Sequence, residues 1–129
     1  MTIEVGLRTS GSFTVADADT AAALGSGDVP VLATPRLIAW SEAVTVRALD
    51  GHIADDATTV GTRIELDHTS GSLVGTDVTI DVVLSVVDGG NLCFDVHAWQ
   101  GVDVTIARGT IVRALVNRER FLGRLRDSS

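Results

Sequence analysis

A chain of 129 residues, 45% of them hydrophobic, is long enough for one domain with a sizeable core, and none of its apolar runs approaches the roughly 20 residues a membrane span needs. A formal charge of −7, carried with ten arginines and no lysine, sets the field of the whole protein against a nucleic-acid backbone, although a few arginines or a helix N-terminus can still hold a small anion. One cysteine, Cys93, excludes an intrachain disulfide framework and any CxxC site, and the N-terminus lacks the basic-then-apolar layout of a secretory signal, so a cytoplasmic chain is expected.

In chain order, GSFTVADADTAAALGSG predicts a short strand near Ser12 to Val15 and then a loop or one helical turn. The next element is well marked. Thr34 is an N-cap candidate, Pro35 fits the first helical position, and the helix should run to about Leu49, before the DGH that ends it. From Thr58 to Val116 the chain is rich in Val, Ile and Thr, and turn residues in HTSGSLVG, DGGN and QGVD divide it into strands over 58–68, 76–87, 91–99 and 103–116. Their short links favour antiparallel hairpins, most clearly at Asp88, Gly89 and Gly90. In the second of these strands Val78, Ile80, Val82, Leu84 and Val86 alternate with polar residues, so one face needs an apolar cover, which the helix can supply. The tail NRERFLGRLRDSS predicts a short surface helix or a frayed end. Strand, long helix and four antiparallel strands is the order of an α+β hotdog fold, a long central helix wrapped by a five-stranded antiparallel sheet, as one domain over 1–129. Another α+β sandwich with a helix on one face would show the same pattern.

At 100° per residue Leu37, Val44 and Ala48 fall together on the helix, with Ile38 and Leu49 beside them and Val46 and Ala39 further round; Glu42 falls inside this arc. Arg36 and Arg47 lie opposite, so no local ion pair is available to it. A carboxylate removed from water without a partner costs several kcal/mol or titrates upward, toward the range of a general base. In TRIELDH, Thr62, Ile64, Leu66 and His68 share a face, the one the helix should cover, and this draws His68 and Glu42 toward the same space between the layers. Two titratable groups there mark a candidate site. Each residue also has a plain structural role open to it: Glu42 on a partly wet face, His68 at the rim of the core, Thr34 as the helix cap. Thr34 and Glu42 stand about 12 Å apart along a straight helix, too far for a direct hydrogen bond. Either they meet different parts of a ligand, or a second subunit brings one copy of each together, which favours a symmetric dimer.

The stretch VLATPRLIAWSEAVTVRAL, followed by VGTRIELDHTSGSLVGTDVTIDVVL, resembles the fluoroacetyl-CoA thioesterase branch of the hotdog acyl-CoA thioesterases. That branch places a threonine before the long helix, a glutamate eight residues on and a histidine near the end of the next strand, positions held here by Thr34, Glu42 and His68. The glycine seven residues ahead of the histidine is matched by Gly61. The resemblance implies a homodimer, or a higher assembly of dimers, with acyl-CoA held between subunits and no cofactor. It implies that Glu42 attacks the carbonyl or activates water, that His68 is the acid/base, that Thr34 orients the glutamate or stabilises developing charge, and that the N–H of Gly61 lies near the carbonyl oxygen. Pro35 stands where the fluoroacetate enzyme has glycine, and AAALGSGDVPVLA contains no phenylalanine where that enzyme has aromatic residues closing over the acyl group. The expected substrate is therefore a small or medium acyl-CoA rather than fluoroacetyl-CoA in particular.

Two other functions are weighed against hydrolysis. A hotdog module can bind an acyl-CoA or another small acyl ligand without turnover. Hydratase chemistry needs an Asp-x-Asn-Pro-x-His type of motif before the long helix, which is absent. His97 and His52 read as structural or exposed, Cys93 as a small hydrophobe on a strand, and His52 with Asp55 and Asp56 has no familiar metal spacing. Arg36, Arg113, Arg118 and Arg120 are candidates for contacts to CoA phosphates.

Overall fold

The computed structural model describes residues 2–128. Strand β1 (Arg8–Thr14) leads through a 3-10 turn at Asp17–Asp19 and a single helical turn, α1 (Ala21–Leu24), to the long helix α2 (Thr34–Leu49). Four strands follow, β2 (Ala57–His68), β3 (Asp77–Asp88), β4 (Asn91–Gln100) and β5 (Val104–Asn117), and α3 (Arg118–Asp127) closes the chain. All five strands form one antiparallel sheet in the order β1-β3-β4-β5-β2, with α2 across one face. This is the hotdog arrangement that the order of elements predicted.

Two of the three expected hairpins form. β3 and β4 pair directly through the two-residue turn between Asp88 and Asn91, and β4 and β5 through the turn after Gln100. The link after His68 makes no hairpin: β2 pairs with β5 at one edge of the sheet, whereas β3 pairs with β1 on the other side. Short spacing favours a hairpin only when no better neighbour exists, and the fourteen residues of β5 offer β2 a longer partner. β1 also begins earlier than expected. Its polar run RTSGSFT hides the strand from a hydrophobicity pattern, but Ser10 and Thr14 hydrogen-bond through their hydroxyls to Asp81 and Asp77 of β3.

The core is the inner face of β3, β4 and β5 against α2. Val78, Ile80, Val82 and Leu84 of β3 and Leu92, Phe94, Val96 and Ala98 of β4 are all buried, as period-two alternation requires. From α2 come Leu37, Val44, Ala48 and Leu49. Ser41 and Thr45 share the buried stripe because each hydroxyl donates to a helix carbonyl, that of Leu37 at 2.8 Å and that of Glu42 at 2.6 Å. The covered stripe is narrower than the apolar arc of the wheel: Val46 is 50% exposed and Ala39 is exposed as well. Stacking of Trp40 on Phe13, with ring centroids 4.8 Å apart, ties the opposite side of α2 to β1.

Close pairing of β2 and β5 depends on Gly109. A side chain there would fall on the main chain of Glu65 and Leu66, which cannot withdraw without breaking the ladder. Gly109→Ala is expected to lower the unfolding free energy by about 1–3 kcal/mol, read as a lower urea midpoint at unchanged m-value. An unshifted midpoint would contradict this packing.

Candidate active site

The helix wheel left Glu42 without a cation, and the structure corrects that reading. Arg113 reaches it from β5, Nη1 donating to Oε2 of Glu42 at 3.0 Å. The other guanidinium nitrogens are also engaged, Nε with the Thr59 hydroxyl at 2.8 Å and Nη2 with the Thr59 carbonyl at 3.1 Å. Arg113 is thereby fixed on three sides and only 8% exposed, while Glu42 keeps 33% of its side chain open. The carboxylate is held from below and left accessible from one side.

Gly61 supplies the room for this contact. It lies opposite Arg113 in the β2–β5 ladder, and a β-carbon at that position would land on the Glu42 carboxylate. The ladder slips between Gly61 and Arg63, which places Gly61 and Ile64 on the helix face and turns Thr62 outward, its hydroxyl donating to the Val112 carbonyl at 3.3 Å. Simple alternation had put Thr62 inside. The bulge exchanges it for the one residue type that makes space.

Thr34 and His68 form the second half of the site. Ala33, not Thr34, caps the helix: Ala33 is extended at φ −72 and ψ 138, Thr34 is the first helical residue, and Pro35 follows in the first turn, where its missing N–H costs nothing. Freed from capping, the Thr34 hydroxyl hydrogen-bonds to Nδ1 of His68 at 2.8 Å. Nε2 of His68 is buried with no hydrogen-bond partner among the described residues. When Nδ1 accepts from the hydroxyl, the ring proton sits on Nε2. Burial pushes the pKa of His68 below its usual 6.5, with the main chain of Ser70 opposing in part. Both residues line a cavity of about 340 Å³, together with Ala21, Val29, Val31 and Leu32.

Among the described residues no hydrogen bond joins Glu42 to Thr34 or His68. One chain thus presents two separate clusters, one at the start of α2 and one at its middle. Arg113 was weighed from sequence only as a phosphate ligand, yet its place between Ile111 and Leu115, on the apolar parity of its strand, was the signal that it points inward. Arg36, the other supposed phosphate ligand near the site, is tied to Asp19 at 3.0 Å. His97 lies on the outer face of the sheet, bonded through Nε2 to the Thr105 hydroxyl at 2.9 Å, and Cys93 is half-buried on the same face. His52 is half-buried after α2, within 3.2 Å of the Thr2 carbonyl.

A long helix wrapped by this sheet defines the hotdog class. A Thermus thermophilus member of the thioesterase superfamily superposes with a TM-score of 0.89 over 97% of this chain and 92% of its own, at 18% identity, a likeness of fold alone. The sequence narrows the class further. A profile of the fluoroacetyl-CoA-specific thioesterase family matches residues 15–119, and the chain belongs to that family. The fluoroacetyl-CoA thioesterase of Streptantibioticus cattleyicolor is 32% identical over 99 residues, which cover 77% of this chain and 70% of that protein. A solved structure of a fluoroacetyl-CoA thioesterase superposes at a TM-score of 0.90 with 30% identity, over 100% of this chain and 99% of the other. A variant of such an enzyme, solved in complex with acetyl-CoA, superposes equally well at 28% identity, over 98% and 99% of the two chains.

The lowered pKa of His68 has a signed consequence. As pH falls, the unfolded chain takes up its proton at about 6.5 while the folded chain resists, so stability is full above that value and declines below it, down to the folded midpoint. His68→Gln should remove part of that acid-side decline in melting temperature, measured from about pH 7.5 to 5. An identical pH slope in wild type and variant would contradict a buried, neutral His68.

Proposed function

We propose that this protein hydrolyses the thioester of a small or medium acyl-CoA at a site shared between the two subunits of a homodimer. The observation that carries the reading is a carboxylate anchored by Arg113 and packed directly over Gly61, with a third of its side chain still open to an incoming group.

In this reading Glu42 either takes a proton from the water that attacks the thioester carbonyl, or attacks it directly to give a mixed anhydride that water then opens, and the C–S bond breaks as the tetrahedral centre collapses. The departing thiolate needs a proton, and His68, neutral at rest with one ring nitrogen bonded to Thr34, relays to it the proton released by the attacking water, so that Glu42 and His68 both end as they began. Thr34 fixes the ring orientation. Family membership supports thioester hydrolysis, and the complex of a relative with acetyl-CoA supports a CoA thioester as substrate. The stretch between α1 and α2 contributes Ser26, Gly27 and Val29 to the cavity beside Thr34, with no aromatic ring to close it, which supports acyl groups beyond fluoroacetyl.

The dimer follows from the geometry of the halves. Glu42 and Thr34 are separated by about two turns of one rigid helix, so a single chain cannot close the constellation. β2 carries both Gly61 and His68 and is an edge strand with an unpaired outer side, beside the exposed Val46 of α2. Pairing this edge with its own copy buries it and brings the half-sites of two chains face to face.

Two outcomes are expected. Glu42→Gln should retain the fold and lower turnover of short and medium acyl-CoAs by at least about 100-fold, followed as thiol release; undiminished turnover would contradict a reacting Glu42, and a wild type that binds acyl-CoA without releasing CoA would point to a binding module. A heterodimer purified from co-expressed Glu42→Ala and His68→Ala chains should recover about half the wild-type turnover, because one of its two shared sites is intact. No recovery would contradict the shared site.

A further inference from the structure

Five of the ten arginines fall between residues 113 and 126, where Glu119 is the only acidic residue, in a chain whose net charge is −7. Arg113 is consumed by Glu42. Arg118, Arg120 and Arg124 project from α3 into solvent, and no carboxylate of the described residues lies within ion-pair distance of any of them. An arginine cluster that an acidic protein leaves unneutralised is a place where an anion from outside gains most.

Two cavities lie between Thr59, beside the Glu42–Arg113 pair, and the cluster. The first, of about 390 Å³, is lined by Thr59, the residue that holds Arg113, by Val46 and Leu49 of α2, and by Arg118. Beyond Arg118 a second cavity, of about 220 Å³, lies between the end of β5 and α3, lined by Leu115, Asn117, Phe121 and the pair Arg120 and Arg124. These two arginines are four residues apart on a helix and so share a face. The Asn117 side chain fixes the start of that helix, accepting from the Arg120 N–H at 3.0 Å and donating to Asp56 at 3.2 Å. Along β5, Arg118 lies roughly 16 Å from Arg113, so a ligand joining the two ends needs a long, thin arm. Asp50 and Asp55 line the first cavity and repel phosphate there, which leaves the arginine pair beyond as the place for it.

We infer that Arg120 and Arg124, with Arg118 at the threshold, bind the phosphates of the nucleotide end of the thioester substrate, while its arm runs through the first cavity past Val46 to Glu42. This rests on the thioesterase reading and deepens it. It assigns the substrate to free, nucleotide-bearing thioesters rather than acyl groups on a carrier protein. Phe121 and Leu115 offer apolar contact for a base beside the phosphates.

The test compares an Arg120→Ala/Arg124→Ala variant with wild type on two thioesters of one acyl group, carried by CoA and by pantetheine, which lacks the nucleotide. KM for the CoA thioester should rise about tenfold or more, with kcat and the pantetheine thioester unaffected. Arg120→Lys/Arg124→Lys should recover part of the loss, and Arg8→Ala, an exposed arginine on β1, should leave KM unchanged. Calorimetry of CoA itself, against wild type and the alanine variant, gives the same comparison without turnover. Weaker CoA binding in the variant would uphold the arginine site even if hydrolysis were absent. Equal CoA affinity in the two, or an equal loss on both thioesters, would overturn it.

Discussion

A carboxylate on a helix that crosses a sheet must find its counter-charge on the sheet, and here the whole site is arranged around that requirement. Arg113 can meet Glu42 only because Gly61, its neighbour across the β2–β5 ladder, has no side chain to stand between them. Gly61 is on that face only because the ladder carries a bulge at Thr62. Arg113 in turn is immobilised by both the hydroxyl and the carbonyl of Thr59, so the guanidinium is a fixture of the sheet rather than a mobile surface charge. Removing any one of these parts leaves a charged group under the helix without its partner, and groups so placed cost far more than the pair itself contributes.

The same helix carries Thr34 as its first residue. Because Ala33 rather than Thr34 caps α2, the threonine hydroxyl is released from the helix end and turned to the histidine that ends β2. One strand, β2, therefore presents Gly61 and His68 to the same layer, and one helix presents Thr34 and Glu42. The eight-residue spacing keeps the two helix residues apart within a chain, which is the ground for proposing a twofold partner. Three separate cavities lie along the chain, one beside Thr34 and His68, one beside Thr59 and Arg118, and one beside Arg120 and Arg124.

Much of this was legible in the sequence, and what was hidden has a physical reason in each case. Glu42 stood out because period 3.6 is strict along a helix, and an acidic residue in an apolar arc is visible at short range. His68 stood out for the same reason at period two. Arg113 was invisible as their companion because it is 71 residues from Glu42, and only the pairing of β5 with β2 brings it there. The assignment of Thr62 to the inner face failed because a bulge resets alternation without leaving a mark in composition. The hairpin expected after His68 failed because link length says nothing about which strand is the better partner, and the polar β1 was cut short because its stability comes from cross-strand hydroxyl and carboxylate contacts rather than apolar burial. The family resemblance located Thr34, Glu42, His68 and Gly61, whereas the mechanical link between Glu42 and Gly61 came from the coordinates.

The most direct test of the account is a crystal structure of the dimer with a non-hydrolysable analogue of a short acyl-CoA thioester. The account predicts the analogue's carbonyl carbon over Gly61, with a Glu42 carboxylate oxygen, or a water bonded to it, about 3–3.5 Å away and Arg113 still paired beneath. An analogue seated away from Glu42, or a Glu42 that turns from Arg113 into bulk solvent when the ligand binds, would contradict it.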